Sequence, residues 1–234
     1  MILATLFIPS KEPKESARWL KLFDLWLERS IEATKAQIVV LTPALAEGDM
    51  PEPSSGVCFM RVDTSFYKPR RIAQENGLLF DLKGEILATA LPVLGDNVLY
   101  LDLDAFLTKD PFPLLPAGHG VMLPPDANRK LMKFKFNREQ LRRGCAGILW
   151  FPGQHKAAVE NFRNCRHNLS IGGYGDDWLL EQWSWTWAAH KTGGLLPSRF
   201  NYVPHLDFNG PQGEAVVRHH HGPKKWELLE NGTI

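Results

Sequence analysis

Asp102 and Asp104 stand one residue apart at the end of a short apolar run, Val98-Leu99-Tyr100-Leu101. Along a strand, residues i and i+2 point to the same side. A continued strand therefore sets both carboxylates on one face, and at a strand end both still reach one metal-sized space. Adjacent carboxylates repel unless a cation joins them, and oxygen ligands suit Mg²⁺ or Mn²⁺. The structural alternative is that Asp102 caps a turn and Asp104 is solvated. Far downstream lies His219-His220-His221-Gly222-Pro223-Lys224-Lys225-Trp226. Neutral imidazole ligates metals, and strand alternation puts His219 and His221 on one side with His220 on the other. Lys225, after a glycine turn, suits a phosphate oxygen.

Three further segments offer a functional and a structural reading. Asp176 and Asp177 sit where a helix begins, so they cap it or supply a carboxylate near a reacting carbon. Gly144-Cys145-Ala146-Gly147 enters a strand through small residues, which let a ligand approach the backbone or simply form a tight turn. Tyr67-Lys68-Pro69-Arg70-Arg71 is either a diphosphate clamp or a solvated basic turn.

The elements that must position these groups read as an alternation. Residues 2–8 form a first strand, and Ser16 caps a helix over 17–32, where Trp19, Leu20, Phe23, Leu27 and Ile31 recur at helical spacing. Strands follow at 37–41 and 57–62, then a helix over 84–94 that leads into the Asp-bearing strand. This order of short apolar strands and helices predicts a parallel sheet covered on both faces. Further on come a strand at 148–151, an amphipathic helix over 154–163 and a helix from Asp176 to about His190. That last helix carries Trp178, Trp183, Trp185 and Trp187. Trp183 and Trp187 share a face, as core or as a surface for sugar rings.

The chain has 234 residues, 44% of them hydrophobic, enough for a substantial core. Its 27 basic and 26 acidic side chains nearly balance, which disfavours a nucleic-acid partner. Cys58, Cys145 and Cys165 lack CxxC spacing, so reduced thiols and a cytoplasmic location are expected. The apolar start has no basic region before it, and no run approaches a membrane span.

Taken together, these residues resemble the GT-A glycosyltransferases, and within them the retaining glycogenin and lipopolysaccharide galactosyl- and glucosyltransferase group. Val98 to Asp104 is similar to that family's signature strand, and His219 to Trp226 to its H-x-x-G-x-x-K-P-W element. The resemblance implies one GT-A domain over 1–234, a Rossmann-like α/β fold with a central, mostly parallel sheet. Residues 1–110 would form the nucleotide-sugar half and 111–234 the acceptor-side half.

It also implies roles. Asp102, Asp104 and His219 hold Mn²⁺ or Mg²⁺, with Asp102 also reaching the donor. Gly222 and Lys225 contact the diphosphate, and Ala146 and Gly147 lie near the donor sugar. Asp176 and Asp177 lie near the reacting carbon, and Asn201 belongs to a Phe-Asn-Tyr similar to the family's loop before the C-terminal motif. Lys83, Lys68 and Arg70 are candidates for the family's donor-binding cation, and Cys145 stands where the family carries Asn. The expected activity is transfer of a hexose from a nucleotide sugar, a UDP-sugar, with retention, to a carbohydrate, lipid-linked or protein acceptor. Two alternatives remain open: a non-catalytic sugar-nucleotide or carbohydrate-binding relative, and a nucleotidyltransferase or diphosphate-sugar hydrolase.

Overall fold

The computed structural model describes residues 1–10, 12–44, 50–51, 55–65, 75–126, 131–133, 140–171, 177–204, 212–220 and 224–231. It describes backbone alone at 75–81, 131–133, 140, 142, 170–171, 177–179, 212 and 231. The first half runs β1 (Ile2–Leu6), α1 (Pro13–Ala33), β2 (Gln37–Pro43), β3 (Val57–Val62), α2 (Glu75–Leu94), β4 (Val98–Leu101) and β5 (Ala105–Leu107). There follow β6 (Met122–Leu123), β7 (Leu131–Lys133), β8 (Gln140–Arg142) and β9 (Ile148–Phe151). The chain continues through α3 (Lys156–Ile171), α4 (Asp177–Thr192), β10 (Gly194–Leu195), β11 (Val217–His219) and α5 (Lys224–Asn231).

Seven strands form one sheet in the order β10-β6-β9-β4-β1-β2-β3. β1 to β4 run parallel, β9 lies antiparallel to β4 and β6, and β10 pairs parallel with β6. The expected α/β architecture with a mostly parallel sheet is present. Alternate residues of β4 feed opposite layers, as strand geometry requires. Val98 and Tyr100 pack with Leu87, Leu91, Phe162 and Trp185 under α2, α3 and α4. Leu99 and Leu101 pack with Leu22, Phe23 and Trp26 under α1. Buried on both faces, β4 is the rigid base from which the acidic pair extends.

Several boundaries differ from the sequence reading. α1 begins at Pro13, a residue that suits a first helical turn because its missing N–H has no intrahelical partner there. Ser16 is therefore inside the helix, its N–H bonded to the Glu12 carbonyl, and does not cap it. The first strand stops at Leu6, and the helix before β4 starts at Glu75. The β7–β8 hairpin and the β5–β11 pairing were not foreseen, since strands of three residues leave no readable period. Trp185 is core, fully buried and stacked on Phe162 with ring centroids 4.1 Å apart. Trp183 and Trp187 are half-buried and pack against Cys165, Leu169 and Leu180, together with Leu141.

Candidate functional site

β4 ends at Leu101, and a tight turn follows in which the Asp102 carbonyl accepts the Ala105 N–H at 2.9 Å. The acidic pair thus sits just past the strand end, as expected, on a turn that brings the two carboxylates together. From it the chain enters β5, which pairs antiparallel with β11 so that His219 lies opposite Ala105. The His220 N–H bonds the Asp104 carbonyl at 2.9 Å, locking that register. His219 is delivered to Asp104 by this ribbon, with Nε2 at 3.1 Å from Oδ1. His220 points the other way, edge-on to Phe106. His221 and Gly222 lie outside the described residues.

One ligand atom from each of Asp102, Asp104 and His219 falls within 4.8 Å of the others. Two carboxylates and an imidazole form a donor set that suits Mg²⁺ or Mn²⁺. Gly147 forms the wall beside them. A Cβ there would stand 2.7 Å from His219 Cε1 and 2.8 Å from Asp102 Oδ2. The backbone comes this close because the Gly147 carbonyl accepts the Asp102 N–H at 2.8 Å. Glycine at 147 leaves open the space between the ligands, and the residues present fit a divalent ion. Ala146 is buried in the core beside it.

The carboxylates are balanced by lysines from two elements. Lys83 of α2 contacts both Asp102 oxygens at 3.0 Å and Glu181 of α4 at 3.2 Å. Burial alone lowers the pKa of this ammonium, but Asp102 and Glu181 more than offset that and hold it above its ordinary value. The Tyr100 hydroxyl donates to Asp102 Oδ1 at 2.7 Å. Burial, with Asp102 and Glu181 beside it, raises the phenol well above its usual range and keeps it a donor. Lys225, in the first turn of α5, reaches Asp104 Oδ2 at 3.3 Å. Its ammonium lies 4.7 Å from the Trp19 ring centroid and 5.4 Å from that of Trp226. Burial disfavours a charged His219, yet Cys145 and Asp104 against the ring raise its pKa well above the ordinary value.

The structure thus brings Asp102, Asp104, Gly147, His219 and Lys225 to one place, with Ala146 adjoining. Of the three candidate cations, Lys83 is at the site, whereas Lys68 and Arg70 lie outside the described residues, as does the rest of the Tyr67–Arg71 segment. Asp176 also lies outside them. Asp177 opens α4, and its side chain is not described. The sequence reading missed Glu181 and Gln182, both buried. Gln182 donates to Asp126 Oδ2 at 2.6 Å and to the Gly144 carbonyl at 2.8 Å. Helical spacing held the signal: Glu181 is four residues after Asp177 and so lies on the same face of α4.

A central α/β sheet with an acidic turn at the carboxyl end of a middle strand is the architecture of GT-A glycosyltransferases, and the chain has that fold. It is similar in structure to galactosyltransferase LgtC in complex with donor and acceptor sugar analogs, with a TM-score of 0.57 and 16% sequence identity. The match covers 100% of this chain and 97% of that one. An active-site mutant of LgtC is similar with the same TM-score, identity and coverage. No protein-family model and no curated protein matches the sequence. No helix among the described residues is long and apolar enough to cross a membrane.

Proposed function

We propose that the chain is a metal-dependent glycosyltransferase that moves a hexose from a nucleotide diphospho-sugar, a UDP-sugar, to an acceptor hydroxyl with retention of configuration. The observation that carries this reading is the Asp102–Asp104–His219 cluster at the carboxyl end of β4 in a GT-A fold, where α/β sheets bind ligands.

Asp102, Asp104 and His219 would hold the ion. Mn²⁺ or Mg²⁺ bound there supplies Lewis-acid neutralisation of a diphosphate leaving group. The bond between the sugar carbon and the diphosphate oxygen breaks with its electron pair on oxygen, and the acceptor oxygen bonds to that carbon as its hydroxyl proton passes to the departing diphosphate. Lys225 donates charge-assisted hydrogen bonds to the diphosphate beside Gly222, and Lys83 places a second positive charge on the donor side. Ala146 and Gly147 keep the floor beneath the sugar low. The carbon develops positive character as the bond breaks, which a carboxylate stabilises. Asp176 and Asp177 are proposed for that role, with Glu181 as a further carboxylate from the same helix. The partners are the donor and a carbohydrate, lipid-linked or protein acceptor.

Calorimetry of UDP with Mn²⁺ and then with EDTA, on wild type and Asp104→Asn, tests the donor site. Micromolar binding that needs the metal and vanishes in the variant is expected, followed by UDP release from a UDP-hexose. No metal-dependent binding of UDP, GDP or ADP overturns the reading.

A further inference from the structure

His219 touches the candidate ion site with one ring nitrogen and the protein interior with the other. Nε2 faces Asp104 Oδ1 at 3.1 Å, while Nδ1 faces Asn201 Oδ1 at 3.1 Å and Cys145 Sγ at 3.4 Å. A metal needs the Nε2 lone pair, so the neutral ring must carry its proton on Nδ1. The thiol does not enforce this by itself, because an S–H donates as well as accepts. A thiol donating to Nδ1 would put the proton on Nε2 and block the ligand atom.

Asn201 decides between the two. The ends of an amide side chain are distinguished only by their partners. Here the Nδ2 end lies 2.9 Å from the Pro125 carbonyl, which can only accept. Oδ1 therefore faces His219, and an amide oxygen can only accept from Nδ1. The other tautomer would leave two lone pairs facing each other at 3.1 Å around a fully buried Asn201, whereas on the far side of the ring a bound cation would satisfy the lone pairs of Nε2 and Asp104. Both anchors of the amide are fixed by backbone. Pro125 is bridged to Gly144, with the Cys145 N–H on the Pro124 carbonyl and the Asp126 N–H on the Arg143 carbonyl. The Asn201 N–H bonds the Ser198 carbonyl at 2.8 Å. The next residue, Tyr202, exchanges bonds with β11 through Val217 and His219.

We propose that Asn201 is a positioning residue that holds the His219 ring and its Nδ1–H tautomer so that Nε2 is free to bind the divalent ion. This rests on the metal-site reading above and extends it to a residue that touches neither ion nor substrate. Such outer partners of a ligating histidine contribute about 10–100-fold to metal affinity.

The test is Mn²⁺ affinity, measured by calorimetry without substrate, for wild type, Asn201→Leu and Asn201→Asp. The leucine variant keeps the size and loses both hydrogen bonds, and its affinity is expected to fall about 10–100-fold. The aspartate variant keeps an acceptor at Nδ1 and is expected to recover most of that loss, which a purely structural role would not permit. Long-range ¹H–¹⁵N spectra of histidine-labelled wild type in excess Mg²⁺ read the tautomer directly, even if a variant fails to fold. A proton on Nε2, or Asn201→Leu binding Mn²⁺ within about threefold of wild type, overturns the assignment alone. A wild type that binds no Mn²⁺ overturns the metal-site reading and the assignment with it.

Discussion

Removing the positive charge of Lys225 should strengthen the binding of Mn²⁺ to the free protein. Asp104 Oδ2 accepts from Lys225 at 3.3 Å, and its Oδ1 lies 3.1 Å from His219 Nε2. The side chains of Lys225 and Asp104 are only 18% and 14% exposed, so water screens the pair weakly. Coulomb attraction at 3.3 Å with an effective dielectric near 20 is about 5 kcal/mol. Desolvation and side-chain ordering offset most of that, leaving a net cost of about 1–2 kcal/mol for any ion that must displace the lysine, or roughly 5–30-fold in affinity. Lys225→Met keeps an apolar stem against Trp19 and Trp226 and removes the charge.

In the proposed donor complex a diphosphate would take over the displaced ammonium, so Mn²⁺ and UDP should each tighten the other's binding by the same factor, as linkage requires. The variant should bind Mn²⁺ alone roughly 5–30-fold more tightly. It should bind UDP more weakly in saturating Mn²⁺ and lose most of the mutual enhancement. Four calorimetric titrations, each ligand with and without the other, close the cycle for both proteins. Mn²⁺ affinity that is unchanged or weaker in Lys225→Met without UDP refutes the exchange.

Other substitutions probe the walls and struts of the site. Gly147→Ala drives a methyl group against His219 and Asp102. Mn²⁺ affinity should drop more than about tenfold while the urea midpoint stays near wild type, and an unchanged affinity would show that the cradle is looser than described. Gly84→Ala brings a Cβ to 2.6 Å from Phe162 Cζ and 3.1 Å from Glu181 Cγ. Phe162 is stacked on Trp185 and cannot move aside, so overpacking should outweigh the gain in helix propensity by about 1–2 kcal/mol in urea unfolding. Cysteine reactivity should separate by burial. Burial pushes the Cys165 thiol up to about 12, so alkylation at pH 8 should modify exposed Cys58 and spare Cys165. The unfolded chain gives up this proton at the ordinary thiol pKa. The stabilising contribution is therefore fully present below that value and is lost as pH rises toward about 12. The urea midpoint of wild type should fall more steeply above pH 9 than that of Cys165→Ala, and equal slopes would remove the thiol as the cause.

The legible parts of this molecule were those with long-range redundancy in the sequence. An apolar strand ending in Asp102 and Asp104, framed by strand–helix alternation, identified the sheet and its ligand-binding end. His219 and Lys225 stood out because they lie three residues either side of Gly222, a spacing that resembles the family's C-terminal motif. Glu181 had only its helical spacing from Asp177 to mark it, because a single acid in a tryptophan-rich helix looks like any half-exposed position until α2 places Lys83 against it. Asn201 was placed in a loop, yet its partners Pro125 and His219 come from two other segments, and no spacing along the chain encodes that meeting.

The candidate ion site draws its ligands from two separate parts of the fold. Asp102 is fixed by the main sheet through Gly147, but Asp104 and His219 belong to the separate β5–β11 ribbon. Tyr202 bonds that ribbon through β11, Lys225 of α5 reaches Asp104, and Trp226 of α5 meets Trp19 of α1 with ring centroids 5.1 Å apart. The contact joins the first helix to the last and sets Lys225 over both rings. Loss of either tryptophan would therefore remove a ring from beside the lysine and loosen the ribbon, leaving Asp102 in place as one of three candidate ligands. Assembly of the candidate ion site and packing of α1 against α5 are in this way coupled.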